Sequence, residues 1–173
     1  MAEFLEYPLA YHITFGTYGM RLHGGEQATV SRNQNQFGEP IIGRDIVWER
    51  LDRSLMEFPS LVLTDAQRRV IEEIVPTICV RGKWEYHIAA AQSDHLHVML
   101  SSTNEGKRVR QWLKRWLGEG LSKQWPQKTL QTWWAIGGSV KSIWNEEYFT
   151  NVFEYIRRQR TTPFSDETNE NRK

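Results

Sequence analysis

The chain of 173 residues contains one cysteine, Cys79. A lone thiol cannot close an internal disulfide, and Cys79 sits inside an apolar helical pattern, so it reads as a small core residue in a reducing compartment. No run of about eighteen apolar residues is present, and the N-terminus lacks a basic-then-apolar signal pattern. The expectation is a soluble, cytoplasmic protein with no membrane segment. Charge of either sign is nearly balanced at a net +1, which argues against binding nucleic acid with the whole surface. No internal repeat is visible. The length suits a single core, so one domain is expected over 1–162, carrying a long inserted loop region at 21–60 and followed by a polar tail at 163–173.

Eight tryptophans and 39% hydrophobic residues argue for a packed structure over most of the chain. Alternation of Tyr11, Ile13, Phe15 and Thr17 predicts a first strand over 9–17. Thr64-Asp65-Ala66-Gln67 is a capping-box pattern opening a helix on Val70, Ile71, Ile74, Val75 and Ile78, with Pro76 expected to kink or shorten it. A second strand follows Gly82, with Trp84, Tyr86, Ile88 and Ala90 on one face and Glu85, His87 and Ala89 on the other. A short turn at 92–94 then leads into a third strand, which makes the two antiparallel neighbours. Val109, Trp112, Leu113, Trp116 and Leu117 mark a further amphipathic helix. Residues 131–144 read as strand, tight turn at Gly137-Gly138, strand. The last helix begins near Asn145, with Glu146 and Glu147 in its first turn. This order predicts an α+β, ferredoxin-like antiparallel sheet with helices on one face. An RNA-recognition domain shares that architecture, so fold alone does not separate them.

The chemistry concentrates in two places. In Asp94-His95-Leu96-His97-Val98-Met99-Leu100, alternation puts His95, His97 and Met99 on one face and Leu96, Val98 and Leu100 on the other. Two imidazoles projecting in parallel can reach one metal ion; equally, a His-x-His can be a pair of polar residues on a solvated face. The second place is Tyr155-Ile156-Arg157-Arg158-Gln159, in a helix whose apolar stripe is Phe149, Val152, Phe153 and Ile156. Tyr155 and Gln159 are one turn apart and can serve a single site. A phenol nucleophile and an amide oxygen completing a two-histidine metal site are suitable parts for attacking a phosphodiester. Tyr148, two turns before the end of that flank, is a rival nucleophile further from Gln159. Asp94 either orients a histidine or shapes the turn, and His12, His23 and His87 lack a partner at metal-ligand spacing.

The His95-Leu96-His97 motif with the later Tyr-x-x-x-Gln resembles the HUH single-strand DNA endonucleases, specifically the small tyrosine transposases of insertion sequences and their REP-associated relatives. Thr14-Phe15-Gly16-Thr17-Tyr18-Gly19, Arg21-Leu22-His23-Gly24, and Trp134 followed by Gly138-Ser139 and Ile143-Trp144 are similar to that group in the same order, so that the resemblance spans roughly residues 9 to 160. It implies the same ferredoxin-like fold with a catalytic helix near the C-terminus. It also implies nicking and strand transfer through a 5′-phosphotyrosine on Tyr155, and one divalent ion, Mg²⁺ or Mn²⁺, on His95, His97 and Gln159. Ligand chemistry by itself leaves Zn²⁺ open as well. The implied partner is single-stranded or hairpin DNA of REP-like sequence, and both a homodimer and a monomer occur among such relatives.

Lys107, Arg108, Arg110, Lys114 and Arg115 lie opposite the apolar face of the middle helix, with few acids nearby; this is either a solvated face or a track for DNA phosphates, to which Arg158 is added near the site. Trp112 and Trp116 sit on the apolar face and read as core. In the long loop, Arg21, His23 and Arg32 are either DNA contacts or scattered surface polarity. The competing function is a non-catalytic protein that binds a nucleic-acid hairpin on a ferredoxin- or RRM-like sheet.

Overall fold

The computed structural model describes residues 6–20, 50 and 53–163. Arg21, His23, Arg32 and most of the long loop therefore lie outside the described residues. The elements run β1 (Ala10–Gly16), α1 (Asp65–Gly82), β2 (Glu85–Ala91), β3 (His95–Ser101), α2 (Gly106–Gln124), β4 (Ser139–Ile143) and α3 (Glu146–Arg157). The four strands form one antiparallel sheet in the order β2-β3-β1-β4. This is the α+β arrangement that the element order predicts. No helix among the described residues is long and apolar enough to cross a membrane.

Strand parity decides what each face meets. Tyr11, Ile13 and Phe15 of β1 and Leu96, Val98 and Leu100 of β3 pack with Ile71, Val75 and Ile78 of α1 and Val109, Leu113 and Leu117 of α2. Full burial of each such leucine or isoleucine contributes ~1.5–3 kcal/mol. The opposite parity, Ala10, Ile88, Ala90, Met99 and Ile143, packs with Val152 and Ile156 of α3. The expectation of helices on one face thus holds for α1 and α2, while α3 covers the other face, because its apolar stripe has a second, smaller core to bury.

The capping box at α1 forms: Thr64 Oγ1 accepts from Gln67 N at 3.3 Å and Gln67 Oε1 accepts from Thr64 N at 2.9 Å. Pro76 does not end α1, which continues to Gly82; Val75, Ile78 and Cys79 are buried around it and hold the helix across the missing N–H.

Two stretches differ from the sequence expectation. In β2 the pairing with β3 shifts between Tyr86 and Ile88, so simple alternation fails. Trp84, Ala89 and Ala91 join the α1–α2 core, whereas Ile88 and Ala90 join the α3 core. A bulge of this kind moves every later side chain to the opposite face. In 131–144 no hairpin forms. The Trp134 region bridges Thr17, and β4 pairs with Ala10–Thr14, so both halves run along the same β1. Gly137 and Gly138 at φ +81° and +126° make the irregular step between them. A Cβ on Gly138 would stand 2.7 Å from Thr14 O. The segment is held to α2 instead: Trp133 Nε1 donates to Ser122 Oγ at 2.9 Å and Trp134 Nε1 to Lys114 O at 2.8 Å.

The chain after α3 is pinned at least as far as Thr162. Glu72 of α1, 3% exposed, accepts from Ala91 N, Thr161 N, Thr162 N and Thr162 Oγ1 at 2.6–3.1 Å. Arg160 donates to Ala89 O at 2.6 Å and Thr161 Oγ1 to Ala91 O at 3.2 Å. This segment therefore wraps the outer edge of β2 and ties α3 on one face to α1 on the other.

Candidate active site

The register of β1 against β3 builds the site. Thr14 lies opposite His97 and His12 opposite Met99, while Gly16, with no side chain, faces His95. Because paired residues share a face, His12, Thr14, His95 and His97 all project toward the α3 side of the sheet. His95 Nδ1 lies 2.5 Å from Oδ1 of the buried Asp94, so the carboxylate fixes the ring and its tautomer. His97 Nδ1 meets Thr14 Oγ1 at 3.0 Å and His12 Nε2 at 3.1 Å. The His95 and His97 rings stand edge-to-face at 4.9 Å. Both histidines thus use Nδ1 for protein contacts, and Nε2 is the nitrogen that a metal would take.

Asn145 caps α3, its side chain accepting from Tyr148 N at 2.8 Å, and Glu146 and Glu147 occupy the first turn. Burial of Val152 and Ile156 sets the helix rotation, and Tyr155 then falls on the flank facing the histidines. Its ring packs edge-on to His97 at 5.4 Å and to His12 at 6.3 Å, and it is 51% exposed. The phenol so placed is open to solvent.

Gln159 lies just beyond α3, which ends at Arg157 with Arg158 as its cap. The turn tightens there, since Gln159 N donates to Ile156 O at 3.0 Å. Its side-chain Nε2 donates to Tyr155 O at 3.5 Å, keeping the one-turn relation of the two residues, and its backbone carbonyl accepts from the Gln92 side chain. Among the described residues no group of three or more His, Cys, Asp or Glu is arranged to hold a metal ion. A metal at His95 and His97 therefore needs a donor of another kind. With Nε2 of Gln159 used as a donor, Oε1 is the end the amide can offer.

His12 is the site residue that sequence reasoning passed over. Its signal was available: in β1 it alternates against Tyr11 and Ile13, but only the pairing register carries it to His97. Burial, and then the Lys141 ammonium, push its pKa down to about 4, so the ring is neutral near pH 7. His87 is lowered too, mainly by burial. It bonds Ser101 Oγ at 2.7 Å and packs on Phe149, a structural role.

A cleft of about 480 Å³ opens beside Tyr155, between the sheet and α3. The sheet supplies His12, Thr14, Ser139 and Lys141 as one wall; α3 supplies Tyr148, Asn151, Val152 and Tyr155 as the other. α3 packs mainly over β2 and β3 and reaches β1 and β4 at Ala10 and Ile143; the cleft opens beyond those two residues, along His12, Thr14, Ser139 and Lys141.

The basic helix does not face this cleft. Lys107, Arg108, Arg110, Lys114 and Arg115 belong to α2, across the sheet from Tyr155. Lys114 Nζ donates to Ala135 O at 2.5 Å and Gly137 O at 3.0 Å, and Arg110 to Gly138 O at 2.6 Å. Burial, and then the Arg110 charge, bring the Lys114 ammonium down to about 8. These two clamp the loop before β4. Arg115 pairs with Glu119 at 3.1 Å and Arg108 lies over the Trp112 ring, while Lys107 is exposed. Trp112 and Trp116 stack with Trp84 against the core, as their apolar face predicts. Arg158 is exposed at the end of α3, near Tyr155.

No protein-family model and no curated protein sequence matches this chain. Among solved structures the chain is similar to a candidate transposase from Deinococcus radiodurans R1, at 14% identity and a TM-score of 0.43 over 94% of this chain and 98% of that one. It is also similar to a REP-associated tyrosine transposase bound to a REP hairpin, at 10% identity and a TM-score of 0.46 over 91% of this chain and 71% of that one. At these values the functional reading rests on the site's own residues.

Proposed function

We propose that the chain nicks and rejoins single-stranded DNA, with Tyr155 as nucleophile and His95, His97 and Gln159 holding one divalent ion, Mg²⁺ or Mn²⁺. The observation that carries this reading is the half-exposed Tyr155 ring set edge-on against His97, beside a second histidine oriented by a buried carboxylate. The Tyr155 oxygen attacks phosphorus, its proton passing to water. The P–O3′ bond breaks, and the leaving 3′-oxygen takes up a proton, giving a 5′-phosphotyrosine and a free 3′-hydroxyl. A second 3′-hydroxyl reverses the step without ATP, because the covalent link keeps the phosphodiester energy. The ion, when bound, would supply positive charge at the phosphate oxygens. Asp94 holds His95 in place throughout. A substrate with REP-like hairpins is proposed on the sequence resemblance, with the exposed Lys107, Arg108 and Arg158 as cations for its backbone.

The test is incubation with hairpin-bearing single strands and Mg²⁺ or Mn²⁺, followed by denaturing electrophoresis. A covalent protein–DNA adduct is expected, absent without metal and absent in Tyr155→Phe. Asp94→Asn should lower metal affinity or adduct rate about 10- to 100-fold, the usual cost of losing a partner that orients a ligand. An adduct persisting in Tyr155→Phe but lost in Tyr148→Phe would reassign the nucleophile. Oligonucleotide binding with no adduct, indifferent to metal and to Tyr155→Phe, would instead establish the hairpin-binding function.

A further inference from the structure

The cleft beside Tyr155 carries more information than nucleophilic attack uses. Lys141 is the one Lys or Arg among its lining residues, and no Asp or Glu lines it. The Lys141 side chain is exposed on β4, directly opposite His12 in the pairing with β1, and no carboxylate among the described residues pairs with it. On the facing wall Tyr148 is 37% exposed, and Asn151 presents an amide one turn along. Tyr148 and Tyr155 are seven residues apart on one flank of α3, a separation of roughly 10 Å along the helix axis. A ring at that distance meets a different nucleotide from the one attacked. A groove with one cation, no acid and an exposed ring fits a single strand, whose phosphates want the charge and whose unstacked bases want the π-face.

We propose that this cleft is the track for the single strand flanking the scissile phosphate, with Lys141 on a neighbouring backbone phosphate and Tyr148 stacking the adjacent base. The assignment rests on the reading of Tyr155 as nucleophile for its orientation, but it is tested by binding alone. In a full-length Tyr155→Phe background, fluorescence anisotropy with a labelled single strand is measured across a salt series. Lys141→Ala should weaken binding and make the slope of log K against log salt shallower by about 0.7, the single-strand value for one lost phosphate. Tyr148→Ala should weaken binding about tenfold, within the range for one stacked base. Tyr148→Phe should recover it, since stacking needs the ring and not the hydroxyl. An unchanged salt slope in Lys141→Ala, equal losses on a duplex of the same sequence, or a change in oligomeric state without a change in DNA binding would overturn the assignment. If the wild-type protein forms no adduct yet these binding effects appear, the nuclease reading fails and the track stands.

Discussion

The two edges of the sheet are finished in opposite ways. At β2 the chain after α3 folds over the edge, and a buried carboxylate, an arginine and two threonines fasten it to backbone groups of β2. At β4 no further strand pairs among the described residues, and Ser139, Lys141 and Ser142 are exposed. An unpaired edge invites association with another chain, and a lysine on it is a common deterrent. Here that lysine also lines the cleft beside Tyr155. The closed edge ties the two faces of the sheet together, whereas the open edge leaves the Lys141 side of the cleft exposed to solvent.

The contrast can be broken most severely at the closed edge. Glu72→Ala removes the acceptor of the Ala91, Thr161 and Thr162 N–H groups and the carboxylate 3.8 Å from the Arg160 guanidinium, and loss of one partner in a buried charged cluster costs about 3–5 kcal/mol. Urea denaturation should show a loss of this order, with the midpoint falling clearly; a shift under 1 kcal/mol would mean the clasp does not hold the edge. At the open edge, Gly138→Ala meets Thr14 O and takes a residue with a Cβ to φ +126°. It should cost about 1–3 kcal/mol by the same measurement, and it should lower adduct yield through displacement of β4 and Lys141.

The smallest effect sharpens the comparison through pH. Lys114, which holds the loop before β4, is lowered from 10.5 to about 8. Below about pH 8 both folded and unfolded states carry its proton, and the full cost of burying the charge is present. Between about 8 and 10.5 the unfolded chain holds the proton and the folded one does not, so this residue makes stability rise with pH across that window. Cys79, pushed up by burial from 9.0 to about 12, acts in the opposite sense above pH 9. The difference between wild type and Lys114→Met isolates the lysine: the stability gap should change between pH 8 and 10, and a flat gap would remove the assigned shift.

Much of this was legible beforehand where one local rule governs. Period-two alternation placed His95 and His97 together and away from Leu96 and Val98, and the Thr64–Gln67 pattern did become a capping box. The i, i+3, i+4, i+7 stripe of α3 was also readable, and it set the flank on which Tyr155 lies. What failed depended on partners far along the chain. The bulge after Tyr86 exchanged the faces of β2, and the 131–144 segment paired along β1 rather than with itself. That Arg110 and Lys114 of the basic α2 face donate to the carbonyls of 135–138 was likewise not legible, because those carbonyls lie more than twenty residues on. Thr161 and Thr162, which no periodic pattern marks, are fastened to the fold because Glu72 accepts from their N–H groups.

By itself the sequence determined the elements, their order, and which side of each regular strand or helix is apolar, because backbone periodicity and side-chain hydrophobicity act over a few residues. Only the tertiary structure decided that α3 lies across the sheet from α1 and α2, that His12 joins His97, that the cleft opens toward β4, and that β2 is the closed edge. Those outcomes depend on pairing register and on two separate cores competing for the same helices, and neither is set by any stretch of chain alone.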